Sequence, residues 1–330
     1  MINGVKMTNT NTKRRGSVKK YFATRTGKRA IFYTLICALP VLQFCIFTFY
    51  INFNSIAMAF ETYNYRTDGV DGIIRQFAGT ANFNRAWEFF MSSGRMIANS
   101  ALLFASNILI TIPLALIFSY YLCKKCMLSG FFKVILYMPN IVSPMIFALL
   151  FKNVMNYALP AIFKGMPQLV VALPGKLVNQ TYAAILFFNI WVSFGVNVLM
   201  FTGAMSGINS SVVESAQLDG ANVVQEFLHI YVPMIFSTVS AFVILGMTGI
   251  FTNQMNLYTF YEYNTPAKLE TMGYYLYKAA SRADYINVEG LKGYLNYPQL
   301  AALGLILTLF VAPTTFLTRK LFDKYGPSED

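Results

Sequence analysis

Residues 210–233, SSVVESAQLDGANVVQEFLHIYVP, form a polar stretch in a chain that is otherwise largely apolar. They carry three acids, Glu214, Asp219 and Glu226, and the only histidine, His229. Ser211-x-x-Glu214 has the form of a capping box, in which the hydroxyl accepts from an N3 amide and the carboxylate reaches back to the N-cap amide. On that reading a helix begins at Val212. Gly220 then allows a turn with positive φ, and a second helical stretch runs from Asn222 to Tyr231. Pro233 suits the first turn of the next element, where its missing N–H costs nothing. Val213, Ala216, Gly220, Val224 and Phe227 recur at helical spacing and predict one apolar stripe. Such a loop either connects two apolar segments or docks a soluble partner.

Composition places those flanking segments in a bilayer. The 330 residues are 56% hydrophobic and 12% charged, about half the charge of an ordinary soluble domain. A helical span takes ~20 apolar residues, and six stretches qualify, at 31–53, 98–122, 134–152, 181–204, 232–252 and 299–318. The third is the least regular, because Pro139 and Pro144 fall inside it. The net charge is +12, and the first 30 residues hold a cluster of Lys and Arg without an acid. A basic tail next to a first span reads as a cytoplasmic anchor rather than a nucleic-acid arm. Residues 1–30 are therefore expected to be a cytoplasmic tail, 31–325 the membrane domain and 326–330 a second cytoplasmic tail. The predicted inner segments carry Lys124, Lys125, Lys133, Arg319, Lys320 and Lys324, whereas the outer loops 54–97 and 253–298 balance their charges. With six spans both termini and the 210–233 loop share the cytoplasmic side, while Gly72 and Asn287 face out. The basic lead and the long first apolar stretch do not fit a cleavable signal peptide.

The same spans exclude several function classes. Apart from Lys152 at one margin they contain no Asp, Glu, Lys, Arg or His. Ion-coupled carriers use buried ionisable groups as relays, and a channel would show a charged ring or filter run. One histidine in a loop makes no nucleophile–base pair or metal set, so no catalytic or metal-binding residue is expected. Cys37, Cys45, Cys123 and Cys126 read as free thiols, since the CxxC has no second ligand pair.

The spacing in the opening stretch is specific. Glu214-Ser215-Ala216, three residues, Gly220, nine residues, and Ile230-x-Val232-Pro233 resemble the EAA motif of ABC importer permeases, with Ser215 for Ala and Val232 for Leu. Residues 97–122 and 132–156 resemble the second and third core helices of sugar-type permeases. FAGTANF (77–83) is similar to an element of their first outer loop, and NTPAKLETMGYYLYKAA (264–280) to the segment after their fifth helix. Together these resemble the maltose-type carbohydrate permease family in its six-helix form, across residues 31–325. The resemblance implies an all-α membrane protein with the type I ABC importer permease fold. It implies that the EAA loop is a coupling helix seated on a cytoplasmic ATPase, with Glu214 meeting a basic residue there and Gly220 forming the tight turn. It also implies a second homologous permease, two ATPase subunits that carry ATP and Mg²⁺, and an extracellular solute-binding protein. The chain has no Gly-x-x-x-x-Gly-Lys-[Ser/Thr] run, so no cofactor is expected in it.

A sugar is recognised by neutral hydrogen-bonding groups and aromatic faces. Asn189, Ser193 and Asn197 lie at i, i+4 and i+8 on one face of the fourth span, and Asn253 and Asn256 follow the fifth. These residues are the candidate substrate path, although amides in a bilayer serve equally to hold helices together. A phosphorylated cargo would want Arg or Lys in that path. A secondary carrier, or an interaction subunit that transports nothing, are the readings from other classes.

Overall fold

The computed structural model describes residues 25–65, 73–162, 182–281 and 295–327. Gly72 and Asn287, and most of both predicted tails, lie outside them. Helical residues from Arg25 lead into α1 (Phe32–Ala59), followed by β1 (Glu61–Tyr65), β2 (Ile73–Phe77) and α2 (Ala81–Ser92). Then come α3 (Gly94–Cys123), α4 (Ser129–Ile141), α5 (Pro144–Asn153) and α6 (Tyr182–Ser206). The polar loop forms α7 (Ser210–Leu218) and α8 (Val223–Met234). The remainder is α9 (Phe236–Thr248), α10 (Leu257–Tyr261), α11 (Met272–Ser281) and α12 (Tyr297–Tyr325).

Four helices, α1, α3, α6 and α12, are individually long and apolar enough to cross a bilayer. The other two predicted spans are bent pairs. α4 and α5 meet at 104°, and α8 and α9 at 67°. The first bend falls at Val142–Ser143, where Pro144 pushes the preceding residue out of the helical region. The second falls at Ile235, so only α9 of that pair continues the predicted fifth span, and it stops at Thr248 rather than 252. Pro113 and Pro233 each follow a π-helical turn, at Asn107–Thr111 and Phe227–Tyr231. A proline lacks the N–H and its ring crowds the carbonyl four residues back, so widening the preceding turn relieves the clash.

The fold is the expected helical one, with one short hairpin beside the helices. β1 and β2 pair antiparallel, from Glu61 opposite Phe77 to Tyr65 opposite Ile73. FAGTANF closes this hairpin onto the helices. Gly79 turns with φ +59°, and Asn82 donates to the carbonyls of Ala59 (3.0 Å) and Glu61 (2.7 Å). Phe83 packs on Phe60 with ring centroids 5.0 Å apart.

α3 and α6 form the central packed pair. Phe201, Val198 and Met205 of α6 pack with Ile112, Ala115 and Leu116 of α3, and buried Ser119 donates to the Val198 carbonyl at 3.0 Å. A second cluster joins α5, α6 and α10 around Phe151, Phe188 and Phe260, and a third joins the end of α1, α2, α11 and α12. α4 crosses α6 at Gly195, where any Cβ would collide with the Leu136 backbone carbonyl. Many apolar side chains of α1, α4 and α5 are exposed, among them Leu39, Phe47, Ile141 and Met145. A face of that kind is compatible with lipid or another apolar subunit.

Candidate functional site

The polar loop is built from two capped helices and one glycine. α7 begins two residues earlier than its sequence suggests. Asn209 is the N-cap, and its Oδ1 accepts from the Ser211 N–H at 3.1 Å. Ser211 is therefore inside the helix, and the Ser211–Glu214 capping box does not form. α7 ends in a Schellman motif: Gly220 N–H donates to Gln217 O (3.1 Å) and Ala221 N–H to Ala216 O (3.0 Å). That closure needs a left-handed residue, and Gly220 has φ +84°. Asn222 then caps α8 in a true capping box with Gln225, both bonds at 2.9 Å.

The predicted apolar stripe is split by the turn. Val213 is buried in the α3–α6 cluster, but Val224 is 62% exposed. The apolar groups turned outward are instead Leu218, Val223, Val224 and Leu228. Glu214 and Ser215 are exposed and Ala216 half-buried. A shallow recess brings Ala216, Gly220 and Ile230 together with Asp219 and His229. Pro233 lies in the last turn of α8, half-buried, just before the bend. Among the described residues Glu214 forms no ion pair or hydrogen bond through its carboxylate. The loop therefore presents an exposed acid beside an apolar patch, on a turn closed by the Gly220 bonds.

One loop residue received no role from sequence alone. Glu226 is buried, accepts from Gln217 Nε2 at 3.1 Å and pairs with Lys124 at the C-terminal end of α3. Burial by itself would raise its carboxyl, but Lys124 and Gln217 bind the charged form and hold it below the ordinary carboxylate range. The signal in the sequence was an acid on the inward side of a capped helix, and its partner lies a hundred residues away.

A cavity of about 430 Å³ lies between α3, α4, α6 and α9. Its polar lining comes from Ser100, Ser106, Asn107, Thr111, Asn140, Asn189, Ser193, Asn197 and Asn253, with apolar side chains such as Phe104 and Phe242 between them. The π turn before Pro113 sets Asn107 and Thr111 into this wall. Among the described residues no charged side chain lines it. Lys152 points elsewhere, towards the Phe260 carbonyl at 3.5 Å.

The structure divides the predicted path residues into two sets. Asn189 donates to Ile185 O (2.8 Å) and Met255 O (3.0 Å) and accepts from Asn256 Nδ2 (2.7 Å). Its amide protons are both spent, one within α6 and one on Met255 O, and with the bond accepted from Asn256 the side chain pins the chain after α9 to α6. There Met255 and Asn256 both have positive φ, and Asn253 Oδ1 accepts from the Met255 N–H at 2.8 Å. Ser193 and Asn197 face the cavity without such bonds to the described residues. Asn189→Leu should therefore lower thermal stability and assembly, because it strands buried partners at ~1–3 kcal/mol. Asn197→Leu should leave assembly intact and lower transport several-fold. Melting curves and flux measurements on both variants separate the roles, and equal stability losses would contradict the division.

No protein-family model matches the chain. It is 23% identical to the multiple sugar-binding transport system permease protein MsmF of Streptococcus mutans, over 87% of this chain and 93% of that one. It is 25% identical to the sn-glycerol-3-phosphate transport system permease protein UgpA of Yersinia pestis, over 79% and 85%. A crystal structure of a bacterial ABC transporter involved in import of the acidic polysaccharide alginate superposes with TM-score 0.69 at 15% identity, covering 95% of this chain and 99% of that one. A second structure of the alginate transporter, in complex with its alginate pentasaccharide-bound periplasmic protein, superposes with TM-score 0.68 at 17% identity, over 92% and 98%. The fold is that of a type I ABC importer permease, and in sequence the chain is similar to permease proteins of sugar transport systems.

Proposed function

We propose that the chain forms half of the translocation pathway of an ATP-driven importer for a neutral sugar or oligosaccharide. One arrangement supports this reading: a cavity inside the helices where amides and hydroxyls alternate with apolar side chains and no charged group among the described residues intrudes, and an acid-bearing turn exposed at one end of them. The cavity exchanges a sugar's bonds to water for bonds to amides and hydroxyls, at ~0.5–1.5 kcal/mol each, which permits release. The turn receives force from outside, since the chain has no phosphate-binding loop of its own. The complete transporter pairs this subunit with a second homologous permease and two cytoplasmic ATPases, which hold ATP and Mg²⁺. An extracellular solute-binding protein delivers the cargo, membrane lipid covers the apolar faces, and no nucleic acid is involved. Both termini and α7 lie on the ATPase side. An impermeant thiol reagent should label Gln217→Cys in inverted membranes only, and labelling in intact cells would reverse the topology.

The likeness to the glycerol phosphate permease favours a second reading, a phosphorylated cargo. The cavity argues against it, because no Arg or Lys among the described residues lines it to hold a phosphate.

Glu214→Ala tests the docking surface. A carboxylate paired at a desolvated interface is worth ~2–5 kcal/mol when one partner is removed. Because Glu214 takes no part in the cap of α7, its loss should spare the fold. The expected result is an unchanged melting temperature with at least tenfold weaker ATPase co-purification. Undiminished co-purification would make α7 a connector only.

A further inference from the structure

We propose that Glu226 is a positioning residue that fastens the α7–α8 loop to α3, so that motion imposed on the loop reaches the cavity wall. The proposal rests on the reading of that loop as the ATPase-docking surface. Glu226 is only 3% exposed and ties three elements at one carboxylate. It belongs to α8, accepts from Gln217 of α7 at 3.1 Å, and pairs with Lys124 at the end of α3. Gln217 and Glu226 stand on opposite sides of the Gly220 turn, so the same carboxylate also clamps the turn. The Lys124 ammonium lies 5.7 Å from the Tyr120 ring centroid and 5.6 Å from that of Tyr231, which walls the pair with one ring from α3 and one from α8. Tyr120 and Tyr231 also contact each other, with centroids 5.0 Å apart.

Folding alone does not call for this pair. Replacing a buried ion pair with apolar groups of similar volume is often neutral or stabilising. What a charged pair adds over oily packing is one direction and one distance, since it does not slide. From Lys124, α3 runs back to Thr111 and Asn107 in the cavity wall. At ~1.5 Å per residue that is a lever of about 20 Å. Displacement of α7 and α8 as one body would shift the lever's near end, and the π turn before Pro113 sits where its far end meets the cavity.

The test uses the whole reconstituted complex with its binding protein. Glu226→Gln, Lys124→Met and the double variant Lys124→Met/Glu226→Met are compared for melting temperature, ATPase co-purification and saccharide transported per ATP hydrolysed. The ATPase should co-purify with all three. Transport per ATP should fall at least fivefold in each single variant. The double variant should recover the melting temperature but not the ratio, because packing is restored and the fixed link is not. Recovery of both together would make the pair merely structural and overturn the proposal, as would an unchanged ratio in the single variants. Loss of the ATPase from the Glu226 variants would also overturn it, by placing Glu226 in the docking surface itself. The docking reading fails separately, if Glu214→Ala keeps its ATPase. Should Glu226→Gln not fold, Gln217→Met, on the exposed side of the knot, decides by the same ratio: a fall supports the link and no change rejects it.

Discussion

Gly220→Val should abolish coupled transport while Gly220→Asn retains most of it. No atom lies within 4 Å of where a Cβ would be built at Gly220, so space does not decide the outcome. Conformation does. The residue holds φ +84°, and a left-handed backbone costs an ordinary L-residue ~1–2 kcal/mol, with a β-branched side chain worse and Asn among the most tolerant. Relaxing that φ breaks the Ala221–Ala216 and Gly220–Gln217 bonds that close α7, and α8 loses its fixed direction. At ~1.4 kcal/mol per tenfold, valine should lower the productive population at least tenfold. Uptake measured at matched membrane levels checks this. Equal uptake by the Val and Asn variants would show that the turn's geometry carries no function.

Gly195 should be the least replaceable residue of the membrane core. A Cβ there would strike the Leu136 carbonyl of α4, which is backbone and cannot swing aside, and lie 2.9 Å from Asn140 Nδ2. Asn140 also donates to the Val192 carbonyl at 3.3 Å, so separating α4 from α6 breaks a cross-helix bond in the cavity wall. Overpacking a close contact costs ~1–3 kcal/mol, occasionally more. Gly195→Ala should lower the melting temperature measurably, and Gly195→Leu should prevent recovery of an intact complex. Wild-type yield and melting temperature for the leucine variant would mean that α4 and α6 do not meet there.

What the sequence disclosed and what it withheld follows the range of each interaction. The Gly220 turn and the start of α8 were readable because a Schellman closure and an N-cap are written within six residues. The α7 cap was misassigned because Asn209, Ser210 and Ser211 are all capping residue types, and only the backbone shows which has extended φ and ψ. Length and hydropathy located all six apolar stretches, yet they do not report bends. Pro144 marked one break, whereas Ile235 has no such signal. The hairpin was missed because ETYNY and IIRQF are short and bring a balanced set of charges, which reads as loop. The cavity face of α6 was legible as an i, i+4, i+8 row. That Asn189 is consumed by Met255 and Asn256 was not, because its partners are more than sixty residues away. A still longer separation hid Lys124 from Glu226.

The most direct test of the account is uptake into proteoliposomes. The complex is reconstituted with ATP on the side where α7 is exposed, and the binding protein and radiolabelled cargo on the other. A neutral saccharide from a panel of mono- and oligosaccharides should accumulate with ATP, and not without it or with Gly220→Val. Accumulation of glycerol phosphate in preference to every saccharide, or saccharide entry independent of ATP, would contradict it.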